Sequence, residues 1–283
     1  MARLPQHNFV VNLRESVRVG GCLYLAMEFL PGGDLFTYLN KNRRISKRVA
    51  MIYAAEVLLA LEHLHANDII HRDLKPENIL VGRTGHLKLA DLGLAKVLDN
   101  ERNETSTLCG TLSYIAPEML KRLPYGKSVD FWMFGCFLYE LHVGTSPFWR
   151  PRGRRQNVRR NILAGRFHKP EVLLSDSATD TIKLLLKTDV AARLGCGEQG
   201  WGAVKNASYF RKLETWNEDE LLKKNVAATF SMTKEAIVEN FDSSYTCQDP
   251  KWDEAQNLPV ETDEDELFGY EWSKFKATRA ASL

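Results

Sequence analysis

The chain has 283 residues, 44% hydrophobic and 26% charged, with 18 Gly, 10 Pro and a formal net charge of +2. These ordinary globular values leave room for one large domain or two modest ones, exclude a disordered, collagenous or low-complexity protein, and are too mildly basic to imply nucleic acid. Its five cysteines are odd in number, widely spaced and lack a C-x-x-C pair, so neither a disulfide framework nor a zinc site is signalled. A reducing intracellular compartment is expected, cytoplasmic or nuclear.

The start, MARLPQHNFVVNL, has no apolar signal core behind a basic end and no glycine placed for myristoylation. Residues 10–13 and 23–28 are short β-prone runs, followed by the Pro31-Gly32-Gly33 turn and an amphipathic segment starting at Asp34. Ser46 is placed to cap a helix reaching to about Ala66, in which Val49, Ile52, Tyr53, Val57, Leu61 and Leu64 repeat at three- and four-residue intervals. Residues 79–81 and 86–89, separated by Gly82-Arg83-Thr84-Gly85, predict a small hairpin. From Pro117 to about 190 the periodicity is helical. The longest unbroken apolar run, residues 131–139, stops at Glu140, well short of the ~20 residues that span a bilayer. It reads as a buried helix, and no membrane span is expected. Six arginines (150, 152, 154, 155, 159 and 160) read as a solvated loop, with a patch for phosphate or an acidic partner as the alternative. Beyond Trp216 the pattern loosens into an extended tail with scattered aromatics and an acidic run at 261–266.

The string His71-Arg72-Asp73-Leu74-Lys75-Pro76-Glu77-Asn78 precedes the hairpin, and Asp91-Leu92-Gly93 follows it. This order resembles the catalytic core of protein kinases. The resemblance implies an α+β, protein-kinase-like fold with a mostly helical large lobe, and ATP and Mg as nucleotide and metal. In it Asp73 would orient the acceptor hydroxyl and take its proton. Asn78 and Asp91 offer the hard oxygen ligands that Mg prefers, and Lys75 would neutralise the transferring phosphate. Lys75 beside the His-Arg-Asp-Leu string resembles serine/threonine-specific members. Leu92 replaces the commoner Phe, and the Asp keeps its metal role.

Residues 91–118 resemble an activation segment, with Thr107-Leu108-Cys109-Gly110-Thr111 ahead of Ala116-Pro117-Glu118. This pattern matches the AGC group. The resemblance makes Thr107 the target of an upstream activating kinase, its phosphate pairing with Arg72. Thr111 would brace Asp73 and Lys75, Glu118 would pair with Arg193, and Asp130 would hold the catalytic-loop backbone. Residues 23–30 resemble the strand and hinge beside adenine. Met27 is the gatekeeper there, Glu28 and Leu30 supply backbone hydrogen bonds, Leu80 is the pocket floor and Asp34 the ribose ligand. Glu77 and Glu140 match positions that receive an arginine upstream of the phosphorylated residue. In the tail, Asn240-Phe241-Asp242 resembles the element that reaches back to the nucleotide, Phe241 adding an apolar wall. Residues 267–272 resemble the hydrophobic motif, with Glu271 where many members carry a phosphorylatable residue.

So aligned, residues 7–13 already correspond to the end of helix C and strand four of the family. The six residues before them contain no G-x-G-x-x-G, no V-A-I-K lysine and no helix C glutamate. The expectation is an N-terminally shortened kinase. Residues 1–30 would be a remnant of the small lobe with the hinge, 31–210 the large catalytic lobe and 211–283 the tail. Its function would be phosphorylation of Ser/Thr in protein substrates, basic-directed. The alternatives are an impaired fragment acting as a binding or regulatory protein and, more weakly, a nucleic-acid module using the arginines.

Overall fold

The computed structural model describes residues 4–19, 22–42, 45–98, 103–149, 155–168, 174–212, 217–224 and 240–241. The chain opens with an antiparallel hairpin, β1 (Leu13–Val19) and β2 (Cys22–Met27). Two helices follow, α1 (Leu35–Asn42) and α2 (Lys47–Ala66). Four short strands come next: β3 (Ile69–Ile70), β4 (Ile79–Val81), β5 (Leu87–Leu89) and β6 (Lys96–Val97). β4 pairs with β5 and β3 with β6, both antiparallel. The remainder is helical: α3 (Pro117–Leu120), α4 (Ser128–Val143), α5 (Arg155–Leu163) and α6 (Asp176–Leu185), then α7 (Trp201–Lys205), α8 (Ser208–Arg211) and α9 (Glu218–Leu222).

The first strand lies later than the apolar pattern places it. Val10 makes only an isolated parallel bridge to Leu89, and β1 begins at Leu13. The segment Arg14-Glu15-Ser16-Val17-Arg18 is too polar to read as a strand, yet Glu15 to Arg18 pair in sequence with β2, the register shifting at Arg14. Both strands present apolar side chains to solvent: Val17, Leu23, Leu25 and Met27 are 38–45% exposed.

Ser46 caps α2 by accepting a hydrogen bond from the Val49 N–H at 3.2 Å, which satisfies one of the four free donors at a helix start. Among the described residues α2 alone is long and apolar enough to cross a membrane, and 78% of that apolar window is buried inside the fold. A helix so enclosed is a core helix. α4 is its counterpart, with every residue from Val129 to Leu141 buried. It stops where Gly144 adopts a left-handed φ of 82° and returns its N–H to the Glu140 carbonyl.

Inside α4, Gly135 is where α6 comes closest. A Cβ there would lie 2.8 Å from the Leu185 Cβ and 3.0 Å from Leu186 Cδ2. Alanine improves helix propensity by about 1 kcal/mol, but overpacking a core costs about 1–3 kcal/mol, and the Leu185 Cβ is fixed by its backbone and cannot swing away. Gly135→Ala should therefore lower the urea midpoint with an unchanged m-value; a raised midpoint would show that α4 and α6 are free to part.

The glycines at 195, 197 and 200 have G-x-G-x-x-G spacing but follow helix α6, not a strand. Gly195, at φ 93°, has the Phe131 ring against its Cα. Gly195 thus serves packing, whereas Gly197 and Gly200 face open space.

Candidate active site

The catalytic loop is held from beneath by Asp130, fully buried in the first turn of α4. One carboxylate oxygen accepts the His71 N–H (2.8 Å) and His65 Nε2 (2.8 Å), and the other accepts the Arg72 N–H at 2.9 Å. Burial alone would raise this carboxyl, but the His65 bond and the other donors outweigh it and hold it below the ordinary range. The grip also fixes Arg72 at φ 68°, a left-handed conformation that a non-glycine residue adopts only when its surroundings impose it.

Downstream of that anchor four side chains converge. Asp73 Oδ1 accepts from the Thr111 N–H (3.0 Å) and Oγ1 (2.9 Å). Its Oδ2 accepts from Lys75 Nζ (2.8 Å) and Asn78 Nδ2 (2.9 Å), and Lys75 Nζ also reaches Thr111 Oγ1 at 2.8 Å. Asn78 gives its second N–H to the Asp73 carbonyl at 2.8 Å, so its amide oxygen is the atom turned outward. The β4–β5 pairing continues through the Ala90 N–H to the Asn78 carbonyl (2.8 Å), which brings Asp91 alongside. Asp91 is exposed, at φ 52°, and accepts from the Gly93 N–H at 3.1 Å.

Beside this cluster, Val11, Leu30 and Ala90 form a small apolar patch with Leu80, separate from the main core. At the end of β2, Met27 is 45% exposed. Glu28 offers the pocket one backbone group. Its N–H is spent on the Asn12 carbonyl at 3.0 Å, so its backbone has only the carbonyl to offer. Its carboxylate accepts from the Asn12 N–H at 2.8 Å and pairs with Lys88 at 2.5 Å. Asp34 is likewise engaged: both oxygens cap α1 through the Thr37 N–H (2.8 Å) and Oγ1 (2.9 Å), so a ribose would have to share them. Phe241 stacks on Phe29 with centroids 5.8 Å apart, and Asn240 Nδ2 reaches the Pro31 carbonyl at 3.3 Å. That joins the tail to the hinge.

The protein kinase domain family matches residues 1–210. The chain belongs to that family. Ribosomal protein S6 kinase alpha-3 of Homo sapiens is 36% identical over 265 residues, covering 93% of this chain and 35% of the relative. cAMP-dependent protein kinase type 3 of Saccharomyces cerevisiae is 40% identical over 213 residues, 75% of this chain and 52% of the relative. A cAMP-dependent protein kinase catalytic subunit-like protein of Caenorhabditis briggsae is 39% identical over 214 residues, 75% of this chain and 54% of the relative. The chain thus spans about a third to a half of the length of these relatives, which accord with the AGC resemblance.

Within this kinase fold the metal ligands can be tested by their chemistry. Among the described residues no three His, Cys, Asp or Glu side chains gather as a self-contained metal centre. Asn78 and Asp91, whose neighbour Ala90 bonds to the Asn78 carbonyl, nonetheless supply one amide and one carboxylate oxygen, and Mg needs only one or two such ligands when phosphate and water complete its shell. The residues fit Mg held jointly with a nucleotide.

The activation segment is tied at both ends. Arg193 clasps Glu118 bidentately at 2.6 and 2.9 Å, both buried. Arg72 Nε donates to the Leu94 carbonyl at 2.6 Å, and its Nη1 lies 3.4 Å from the Tyr125 hydroxyl, which donates to the Thr107 carbonyl at 2.5 Å. Thr107 itself is exposed. Glu77 is also exposed, whereas Glu140 is buried and accepts a hydrogen bond from Tyr114. Burial pushes the Glu140 carboxyl up from 4.5 to about 7; the Tyr114 bond opposes the rise and the nearby Glu77 charge adds to it. Asp242, Glu271 and the rest of 267–272 lie outside the described residues. Val11, Ala90, His65, Tyr114 and Tyr125 carry no signal in the sequence beyond being apolar or aromatic, and tertiary contacts alone bring them to the site.

Proposed function

We propose that this chain carries the catalytic core of a serine/threonine protein kinase, transferring the γ-phosphoryl group of ATP to hydroxyls of protein substrates. The observation that carries this reading is the Asp73–Lys75–Asn78–Thr111 cluster, in which one carboxylate is fixed by four donors from three residues. Phosphoryl transfer through a loose transition state demands alignment and charge stabilisation more than covalent chemistry. Asp73 would orient the acceptor hydroxyl and take its proton, and Lys75 would offset charge on the transferred group. Asn78 and Asp91 would hold Mg, which when bound neutralises the phosphate oxygens. The apolar patch of Val11, Leu30, Leu80 and Ala90, with the Glu28 carbonyl and the Leu30 N–H at its edge, suits a planar base. Phosphorylation of Thr107 by an upstream kinase would add charge beside Tyr125 and Arg72, and an intracellular setting supplies the nucleotide. The test is transfer of label from γ-labelled ATP to protein, followed by phosphoamino-acid analysis. Phosphoserine or phosphothreonine is expected; no label, or phosphotyrosine alone, overturns the reading.

Glu77 and Glu140 support a preference for arginine in the substrate, with a pH signature. Glu140 holds a proton up to about pH 7 in the free protein. A guanidinium arriving beside it favours the charged form, so binding releases that proton and tightens as pH rises. The affinity ratio of an arginine peptide to its norleucine analogue should grow between about pH 6 and about pH 8. A ratio flat with pH would remove Glu140 from substrate recognition.

A further inference from the structure

We infer that the groove between the activation segment and α5 receives a carboxylate side chain of the substrate, so that the acceptor hydroxyl is flanked on its α5 side by Asp or Glu. This rests on the kinase reading and adds to it a substrate class that the upstream-arginine preference does not contain.

The groove has a volume of about 460 Å³. One wall is Leu108, Cys109, Gly110, Leu112 and Ile115; the other is Arg155, Gln156 and Arg159. It adjoins the catalytic cluster at Gly110. A Cβ built on Gly110 would sit 3.6 Å from Asp73 Oδ1, and Thr111, the next residue, makes two of the four hydrogen bonds to Asp73. A peptide whose hydroxyl meets Asp73 therefore runs its neighbouring residues past this groove.

The far wall is cationic by construction. α5 reads Arg155-Gln156-Asn157-Val158-Arg159-Arg160-Asn161-Ile162-Leu163, with three arginines and no acid. Val158 and Ile162, four apart, are buried and fix the helix's rotation. Arg155 and Arg159, also four apart, consequently share another face, the one lining the groove. Both are exposed, and neither enters a salt bridge among the described residues, whereas Arg160 leans on Asn157 Oδ1 at 3.3 Å. Two neighbouring guanidiniums with no carboxylate partner among the described residues suit an incoming carboxylate, which they can bind bidentately. The apolar wall of Leu108, Leu112 and Ile115 can cover the stem of the incoming side chain.

The experiment uses the full chain and serine peptides in which a single Glu, or Gln as its neutral match, is walked along both sides of the acceptor. Binding is read by fluorescence anisotropy without nucleotide, and turnover by label transfer. The expected result is one register on one side of the serine where Glu binds about tenfold more tightly than Gln. The Glu/Gln ratio should fall to about one in an Arg155→Ala, Arg159→Ala double variant, and Arg159→Glu should shift the preference at that register to Lys. Arg159→Lys, which keeps the charge but loses the planar fork, should retain part of the ratio. No register favouring Glu, or a preference surviving the double variant, overturns the inference. Glu-selective binding without label transfer would uphold the groove and instead overturn the kinase reading.

Discussion

Asp73→Asn should lower phosphoryl transfer by about a hundred- to ten-thousand-fold, the usual contribution of a positioned general base. The Asp73 carboxylate accepts from Thr111 twice on one oxygen and from Lys75 and Asn78 on the other. Asparagine has one acceptor oxygen and one NH2 group. Whichever way the amide turns, its N–H bonds meet donors, either the Thr111 N–H or the Lys75 ammonium with the Asn78 amide. The variant thus loses both proton acceptance and the alignment of the loop. It should remain folded, with a cost of about 1–3 kcal/mol for the broken bonds. Single-turnover label transfer, with circular dichroism as the folding control, separates the two effects. Turnover within about threefold of the parent would exclude Asp73 as the base.

The second large effect is on stability. Arg193→Ala strands Glu118, and breaking a buried ion pair by removing one partner costs about 3–5 kcal/mol. Its side chain is fully buried and binds Glu118 at 2.6 and 2.9 Å, the Ser128 carbonyl at 2.9 Å and the Lys187 carbonyl at 2.9 Å. Its guanidinium also lies 5.2 Å from the centre of the Trp132 ring. For a domain of this size the melting temperature should fall by roughly 6–20 °C. Replacing Arg193 and Glu118 together by Met and Leu should recover much of the loss, because the cost lies in an uncompensated charge. Lys127→Ala is the contrast. Its 2.8 Å pair with Asp68 is 39% and 49% exposed, and such pairs contribute about 0–1 kcal/mol. Equal melting shifts in the two single variants would show that burial does not govern either pair.

How far the residue string reaches depends on how local the cause is. Ser46 and the helix it caps, the hairpin around Gly82–Gly85 and the buried run at 131–139 follow from neighbours a few positions apart, and the structure has each of them. The catalytic cluster was also legible, because its residues occur in a fixed order within a short loop; only Thr111 comes from elsewhere. Where local pattern and long-range pairing disagree, the pattern misleads. β1 is polar and its hairpin is largely exposed, so the apolar count points to 10–13 instead. Asp34 is assigned to ribose by resemblance, yet its carboxylate already caps α1 through Thr37, and of the backbone groups at Glu28 the N–H is taken by Asn12.

Capping, periodicity and motif order act over a few residues, so the kinase family, the composition of the catalytic loop and the core faces of the long helices can be read from the residue string. Tertiary structure alone decided that Asp130 grips a loop 59 residues earlier, that Arg193 meets Glu118 across 75 residues, and that Arg155 and Arg159 face the activation segment. A helical period states which side chains share a face, but only the packed fold says what that face meets.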